Sequence, residues 1–247
     1  MRTRGQVLHE LGLGPEWVQR NPASAIEPLA LAAAEPAVGA TEAGVGGADL
    51  ASRADAILQM DWAQLKAAVA GCTACALART RNRTVFGGGD EAGAWMFVGE
   101  GPGADEDARG EPFVGPAGRL LDSMLASIAL TRDADVYIAN IVKCRPPGNR
   151  NPEPGEAGCC RPYLQRQVEL LRPRLIVALG KVAAVNLLGR DTTISALRGQ
   201  VHAYRGVPFI VTYHPAYLLR NPADKAKAWE DLCFAVETMR GLTAQAC

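Results

Sequence analysis

Val136-Tyr137-Ile138-Ala139-Asn140-Ile141-Val142-Lys143-Cys144-Arg145-Pro146-Pro147 divides into two parts. The first, Val136–Val142, is a short apolar run rich in β-branched and aromatic residues, which reads as a buried strand. The second carries a charge, a thiol and two prolines, so the strand must stop there. Strand ends in α/β proteins are where ligands bind. Asn140 and Cys144 therefore stand at a place where chemistry is expected.

Three further apolar runs repeat this signature: Trp95–Gly99, Leu175–Leu179 and Pro208–Thr212. Helical stretches fall between and after them, at Gly118–Ala129, Ala157–Leu171, Lys181–Leu188 and Asp224–Met239, and a helix Asp61–Ala70 precedes them. Alternating strands and helices predict an α/β fold: a three-layer αβα domain around a central, mainly parallel, four-stranded sheet with right-handed crossovers. The polar, Gly-containing stretch 189–206 has room for a small hairpin.

The domain so defined spans residues 61–247. Residues 1–20 include a short amphipathic helix at 5–19, and residues 21–60 are so rich in Ala, Gly, Pro and Glu that they read as a linker. The 247 residues carry zero net charge, but residues 1–60 hold an excess of acid and the remainder an excess of base. The basic residues cluster at Arg79, Arg81 and Arg83, at Lys143, Arg145 and Arg150, and at Arg220, Lys225 and Lys227. Phosphate contact needs such local charge, not a basic total; ordinary solvated surface is the competing reading. No apolar run is long enough to span a membrane, and the start lacks a secretory core, so a cytoplasmic protein with no membrane partner is expected.

Seven cysteines without a secretory segment argue against a disulfide framework. Cys72 and Cys75 form a close pair. Cys144 and either Cys159 or Cys160 follow far downstream. A pair plus two distant thiols is the spacing of a four-thiolate zinc or iron–sulfur site built from separate loops.

The strand ends carry the other candidates. Gly99-Glu100-Gly101-Pro102-Gly103 is a turn where backbone can approach a ligand closely, yet it lacks the third glycine of a dinucleotide fingerprint. Pro112-Phe113-Val114-Gly115-Pro116 fixes an aromatic on a stiff loop, which suits stacking on a flat ring. Asn140 offers an acceptor and two donors to the amide edge of a pyrimidine. Tyr213-His214-Pro215-Ala216-Tyr217-Leu218-Leu219-Arg220 puts a histidine at the end of the fourth strand.

Taken with the four-cysteine pattern, these segments resemble family 4 uracil-DNA glycosylases, the iron–sulfur branch of their superfamily, over about residues 61–240. The resemblance implies excision of uracil from single- and double-stranded DNA by N-glycosidic hydrolysis, leaving an abasic site in base excision repair, by a monomer. It assigns uracil stacking to Phe113, uracil reading to Asn140 and stabilisation of the leaving base to His214. Gly101 stands where other branches have a water-activating Asp, so Glu100 and Gly101 are the catalytic-turn candidates, with Gly103 beside them. Glu106 is the candidate for excluding the thymine methyl group. Leu218 or Leu219 would fill the gap left by the flipped base, with Arg220, Arg145 and Arg150 on the DNA backbone. The implied cofactor is a [4Fe–4S] cluster on Cys72, Cys75, Cys144 and Cys160. A covalent branch of the superfamily is disfavoured, because the loop after Asn140 carries no His. The alternative class is a non-catalytic iron–sulfur DNA-binding or polymerase-associated module, against which the full set of Phe113, Asn140 and His214 argues.

Overall fold

A computed structural model describes residues 47–244. The helix read at 5–19 and most of the stretch read as a linker lie outside the described residues. Helices α1 (Gly47–Leu58) and α2 (Trp62–Ala70) come first, and a 3₁₀ turn at Ala76–Arg79 follows. Then come β1 (Gly88–Gly89), β2 (Trp95–Gly99), α3 (Ala104–Arg109), α4 (Pro116–Ser127), β3 (Val136–Asn140) and α5 (Pro154–Leu171). The chain continues through β4 (Leu175–Leu179), α6 (Lys181–Leu188), α7 (Ile194–Leu197), β5 (His202–Tyr204), β6 (Val207–Thr212), α8 (Pro215–Arg220) and α9 (Lys225–Ala244).

The sheet order is β1-β3-β2-β4-β6-β5, with the inner four strands parallel. These are the four strands the apolar runs predict. Two short antiparallel strands extend the edges, making six. Their sequences explain why they give no apolar signal. β1 is two glycines, and a Cβ on Gly89 would overlap the carbonyl of Val136 across the pairing. β5 is three residues of the polar stretch, joined to β6 by a turn in which Arg205 and Gly206 both have positive φ.

Alternate strand residues face opposite layers, as a pleated sheet requires. Met96, Val98, Ala139 and Ile176 pack against α5 and α6, whereas Phe97, Ile138 and Val177 pack against α4 and α9. Both faces are covered, which is why the inner strands are apolar throughout. Burying a side chain such as Phe97, fully enclosed here, contributes about 1.5–3 kcal/mol.

α1 lies inside the stretch read as a linker. Its sequence is alanine-rich and short of large apolar residues, and docking holds it. Ile57 is buried with Leu65, Val69 and Tyr163, so the packed body begins before Asp61. Asp61 itself caps α2: its carboxylate accepts from the Gln64 amide at 2.8 Å, and the Gln64 side chain accepts from the Asp61 amide at 3.0 Å.

Register fixes what meets at the carboxyl edge. Gly99 pairs with Asn140, and Leu179 pairs with Thr212. The connections leaving β2 and β4 run in opposite directions across the sheet, which opens a crevice between them.

Candidate functional site

That crevice is lined by Glu100, Gly101 and Gly103 after β2, Asn140 at the end of β3, Gly180 and Lys181 after β4, and His214 after β6. Phe113, Glu106, Arg150 and Arg220 complete the wall. The base-pocket candidates from separate motifs are thus brought into one pocket, whereas Arg145, Leu218 and Leu219 are not among its lining residues. The third strand end was missed by sequence reading. Leu179-Gly180-Lys181 carries no motif, and its only signal was that all parallel strand ends must share one edge.

Asn140 is 2% exposed, and its Oδ1 is buried without a hydrogen-bond partner among the described residues. An orphaned buried acceptor is costly, by about 1–3 kcal/mol, and points to a donor arriving from elsewhere. The floor beside it exists because residue 99 is glycine. A Cβ there would overlap Asn140 Oδ1 and stand 2.7 Å from Phe113 Cζ.

Phe113 adopts a φ of 54°, unusual for a non-glycine residue. Its ring lies 5.6 Å from the His214 ring, inclined at 31°. Glu106 accepts from the amides of Gly103, Val114 and Gly115 at 3.1, 2.9 and 3.0 Å. Its carboxylate ties the turn after β2 to the Phe113 loop, and the Gly103 amide is spent on it. Glu100 also faces the pocket, and burial raises its carboxyl above the usual range.

His214 caps α8: its Nδ1 accepts from the Ala216 amide at 3.1 Å. The ring edge is open to the pocket, yet the dense surroundings push its pKa down to about 4, with a smaller contribution from Arg220. The imidazole is therefore neutral at pH 7. With Nδ1 accepting, its single proton must sit on Nε2. This has a consequence for stability. The unfolded chain takes up a proton near pH 6.5 and the folded chain only near pH 4, so acidification through that window favours unfolding. The contribution reaches at most about 3 kcal/mol. In urea unfolding at pH 7 and pH 4.5, His214→Asn should show a visibly smaller acid loss than the wild type.

A second cavity lies behind the pocket. Cys72 and Cys75 from the loop after α2, Cys144 from the loop after β3, and Cys159 and Cys160 from α5 all line it. Three cations face it. Arg81 donates to Cys144 Sγ at 3.1 Å, and Arg53 donates to Cys72 Sγ at 3.5 Å and to the Cys159 carbonyl at 3.1 Å. Lys143 is 1% exposed, and its ammonium donates to the Asn140 carbonyl at 3.0 Å and to Gln167 Oε1 at 2.6 Å. Burial pushes the Lys143 pKa down to about 8 and the Cys160 thiol up to about 12. Sequence reading missed Arg53 and Gln167, and took Arg81 only as part of a basic cluster for phosphate contact, whereas it faces a thiol.

The sequence matches the uracil DNA glycosylase superfamily over residues 86–233, more than half of the chain. A type-4 uracil-DNA glycosylase of Archaeoglobus fulgidus is 49% identical over 162 residues, covering 62% of this chain and 81% of that protein. A type-4 uracil-DNA glycosylase of Thermotoga maritima is 44% identical, over 63% of this chain and 82% of the relative. One from Pyrobaculum aerophilum is 41% identical, over 70% and 92%. This chain belongs to the type-4 uracil-DNA glycosylase family.

Within this glycosylase framework the outer residues sort differently from expectation. Leu218 is 1% exposed and packs with Met124, Tyr213 and Leu232, so it is core and not a wedge. On the short helix α8 its neighbour Leu219 turns outward and is 44% exposed. Arg150 makes a two-pronged ion pair with Glu156 at 2.7 and 2.8 Å, which holds its guanidinium to α5. Arg145 is bonded to Asn149 Oδ1 at 2.7 Å on the exposed loop. Among the described residues no helix is long and apolar enough to cross a membrane.

Proposed function

We propose that this protein hydrolyses the N-glycosidic bond of uracil in DNA, releasing the base and leaving an abasic site in base excision repair. The observation that carries the reading is the buried, unpartnered Oδ1 of Asn140 in the pocket that Phe113 and His214 also line. A base must leave the stack to reach such a pocket. Asn140 Oδ1 accepts from uracil N3–H, and its amide donates to the adjacent carbonyl. Phe113 lies against the base face. His214 Nε2–H donates to the uracil carbonyl that gains negative charge as the bond breaks, while the sugar becomes oxocarbenium-like. Glu100 is a pocket carboxylate with no hydrogen-bond partner among the described residues, unlike Glu106. It is suited to order the attacking water or to oppose the sugar charge. Glu106 acts on specificity by shaping the loop around the base. Leu219 takes the gap left by the flipped base, and Arg220 and Arg145 meet phosphates.

The cysteine cavity fits an anionic [4Fe–4S] group held by Cys72, Cys75, Cys144 and Cys160. Lys143 is a buried cation with no carboxylate partner among the described residues, an expensive arrangement unless an anion stands nearby. Four thiolates suit zinc as well as a cluster, and the likeness to the iron–sulfur branch favours the cluster. Cys160 is the more buried of the adjacent pair and Cys159 the more exposed. A group held by these thiolates would tie together the loop after α2, α5 and the loop leaving Asn140. The chain's own residues perform the hydrolysis.

The test is a single-uracil oligonucleotide, single- or double-stranded, incubated with cluster-replete protein and no added divalent metal. Free uracil and an alkali-labile site are expected; their absence from both substrates would sink the proposal. Cys144→Ser should lose the visible absorbance of the cluster and most of the activity together.

A further inference from the structure

We infer that Arg132 is a positioning residue of the glycosylase site, setting the backbone of Phe113 and thereby the angle of the ring that stacks on the base. The inference rests on the reading of Phe113 as the stacking residue. A left-handed backbone at a phenylalanine persists only when its surroundings over-determine it. The amides after Phe113 are held by Glu106. Gly118 leaves room for the Phe113 carbonyl, which any Cβ at that position would overlap.

Arg132 supplies the remaining constraint from outside the loop. It lies in the turn between α4 and β3, 19 residues from Phe113. Its Nη1 donates to the Pro112 carbonyl at 3.1 Å and its Nη2 to the Phe113 carbonyl at 3.0 Å. Two successive carbonyls gripped by one planar fork leave the peptide between them little freedom to rotate. The fork is itself aimed: Asp122 Oδ1 accepts from Nε at 2.9 Å and from Nη2 at 2.6 Å. Arg132 does not line the pocket, so any effect on uracil must pass through the loop. A lysine cannot reproduce the fork, because its ammonium is a point charge without planar, paired donors.

A double-mutant cycle tests this, with kcat/KM for a uracil oligonucleotide and inhibition by free uracil as readouts, both taken well below the melting temperature. Phe113→Ala should lose about tenfold to a hundredfold, the usual range for a base–aromatic stack. Arg132→Gln should lose about tenfold and weaken uracil inhibition in parallel, and Arg132→Lys should recover only part of this. In the Phe113→Ala background, Arg132→Gln should cost nearly nothing more. Asp122→Asn, which loosens the fork without removing it, should show the same coupling at smaller amplitude and serves if Arg132→Gln does not fold. Equal losses in the two backgrounds, or full activity in Arg132→Gln, would overturn the inference while leaving the Phe113 reading intact. A harmless Phe113→Ala would overturn both.

Discussion

His214→Asn is expected to lower the excision rate by about two to three orders of magnitude while the protein stays folded at neutral pH. The magnitude is that of one donor aimed at a developing charge, about 2.7–4 kcal/mol. Asparagine is the informative replacement because the imidazole does two jobs. Its Nδ1 caps α8 through the Ala216 amide, and asparagine is a good cap whose oxygen can take that place. In the proposed reading its Nε2–H serves the leaving base, and asparagine does not reach so far. His214→Ala removes both functions, so it should match the kinetic loss and add a loss of stability of about 1 kcal/mol from the missing cap. Because the ring is already neutral near pH 7, its pKa pushed down to about 4, wild-type activity should not rise as pH is raised from 6 to 8 through this group. Single-turnover rates across that range measure it. A steep rise that vanishes in His214→Asn would show that the ring works as a base, contrary to the neutral-donor reading.

The inner sheet was legible because burial on both faces leaves a continuous apolar run. Trp95–Gly99 and Leu175–Leu179 are found with the boundaries their composition predicts. The edge strands were not, since a strand of two glycines or of three polar residues has no such run. α1 was hidden for a related reason: an alanine-rich helix is held by what it docks on, and docking is invisible one residue at a time. The same division runs through the site. Asn140, Phe113 and His214 stood out because each sits at a punctuation mark: a strand end, a Pro–Gly loop, a His-Pro step. Leu218 and Leu219 are identical in type and adjacent, and only the packing of α8 separates a core residue from an exposed one. Arg132 and Arg53 act through backbone carbonyls and a sulfur far away in sequence, and Lys143 through the Gln167 side chain 24 residues on. Nothing near them in the chain announces those partners.

Lys143 also connects the two cavities. Its ammonium grips the carbonyl of Asn140, while the next residue, Cys144, faces the thiol cavity. The strand end at Asn140 and the loop that carries a thiol are thus one short, stiff unit. Gln167 fastens that unit to α5 and donates in turn to the Phe86 carbonyl at 2.9 Å. A cluster bound among the cysteines would act on uracil recognition by holding Asn140 still, with no electron moved.

Asn140→Leu should separate function from stability in opposite directions. Leucine has nearly the shape of asparagine but offers no hydrogen bonds. Bound uracil would keep its N3–H and a carbonyl buried against carbon. Each unsatisfied group costs about 1–3 kcal/mol, so kcat/KM should fall by roughly a thousandfold. The free protein behaves otherwise. Oδ1 of Asn140 is already buried without a partner, and the replacement removes that penalty without opening a hole. The melting temperature should therefore hold or rise by a few degrees. That outcome, stability kept and activity lost, is the pattern expected of a group kept for recognition. Paired kinetics and thermal unfolding on one preparation decide it. A variant that loses both activity and several degrees would mean that Asn140 supports the strand end, and that the uracil edge is read by other groups in the pocket.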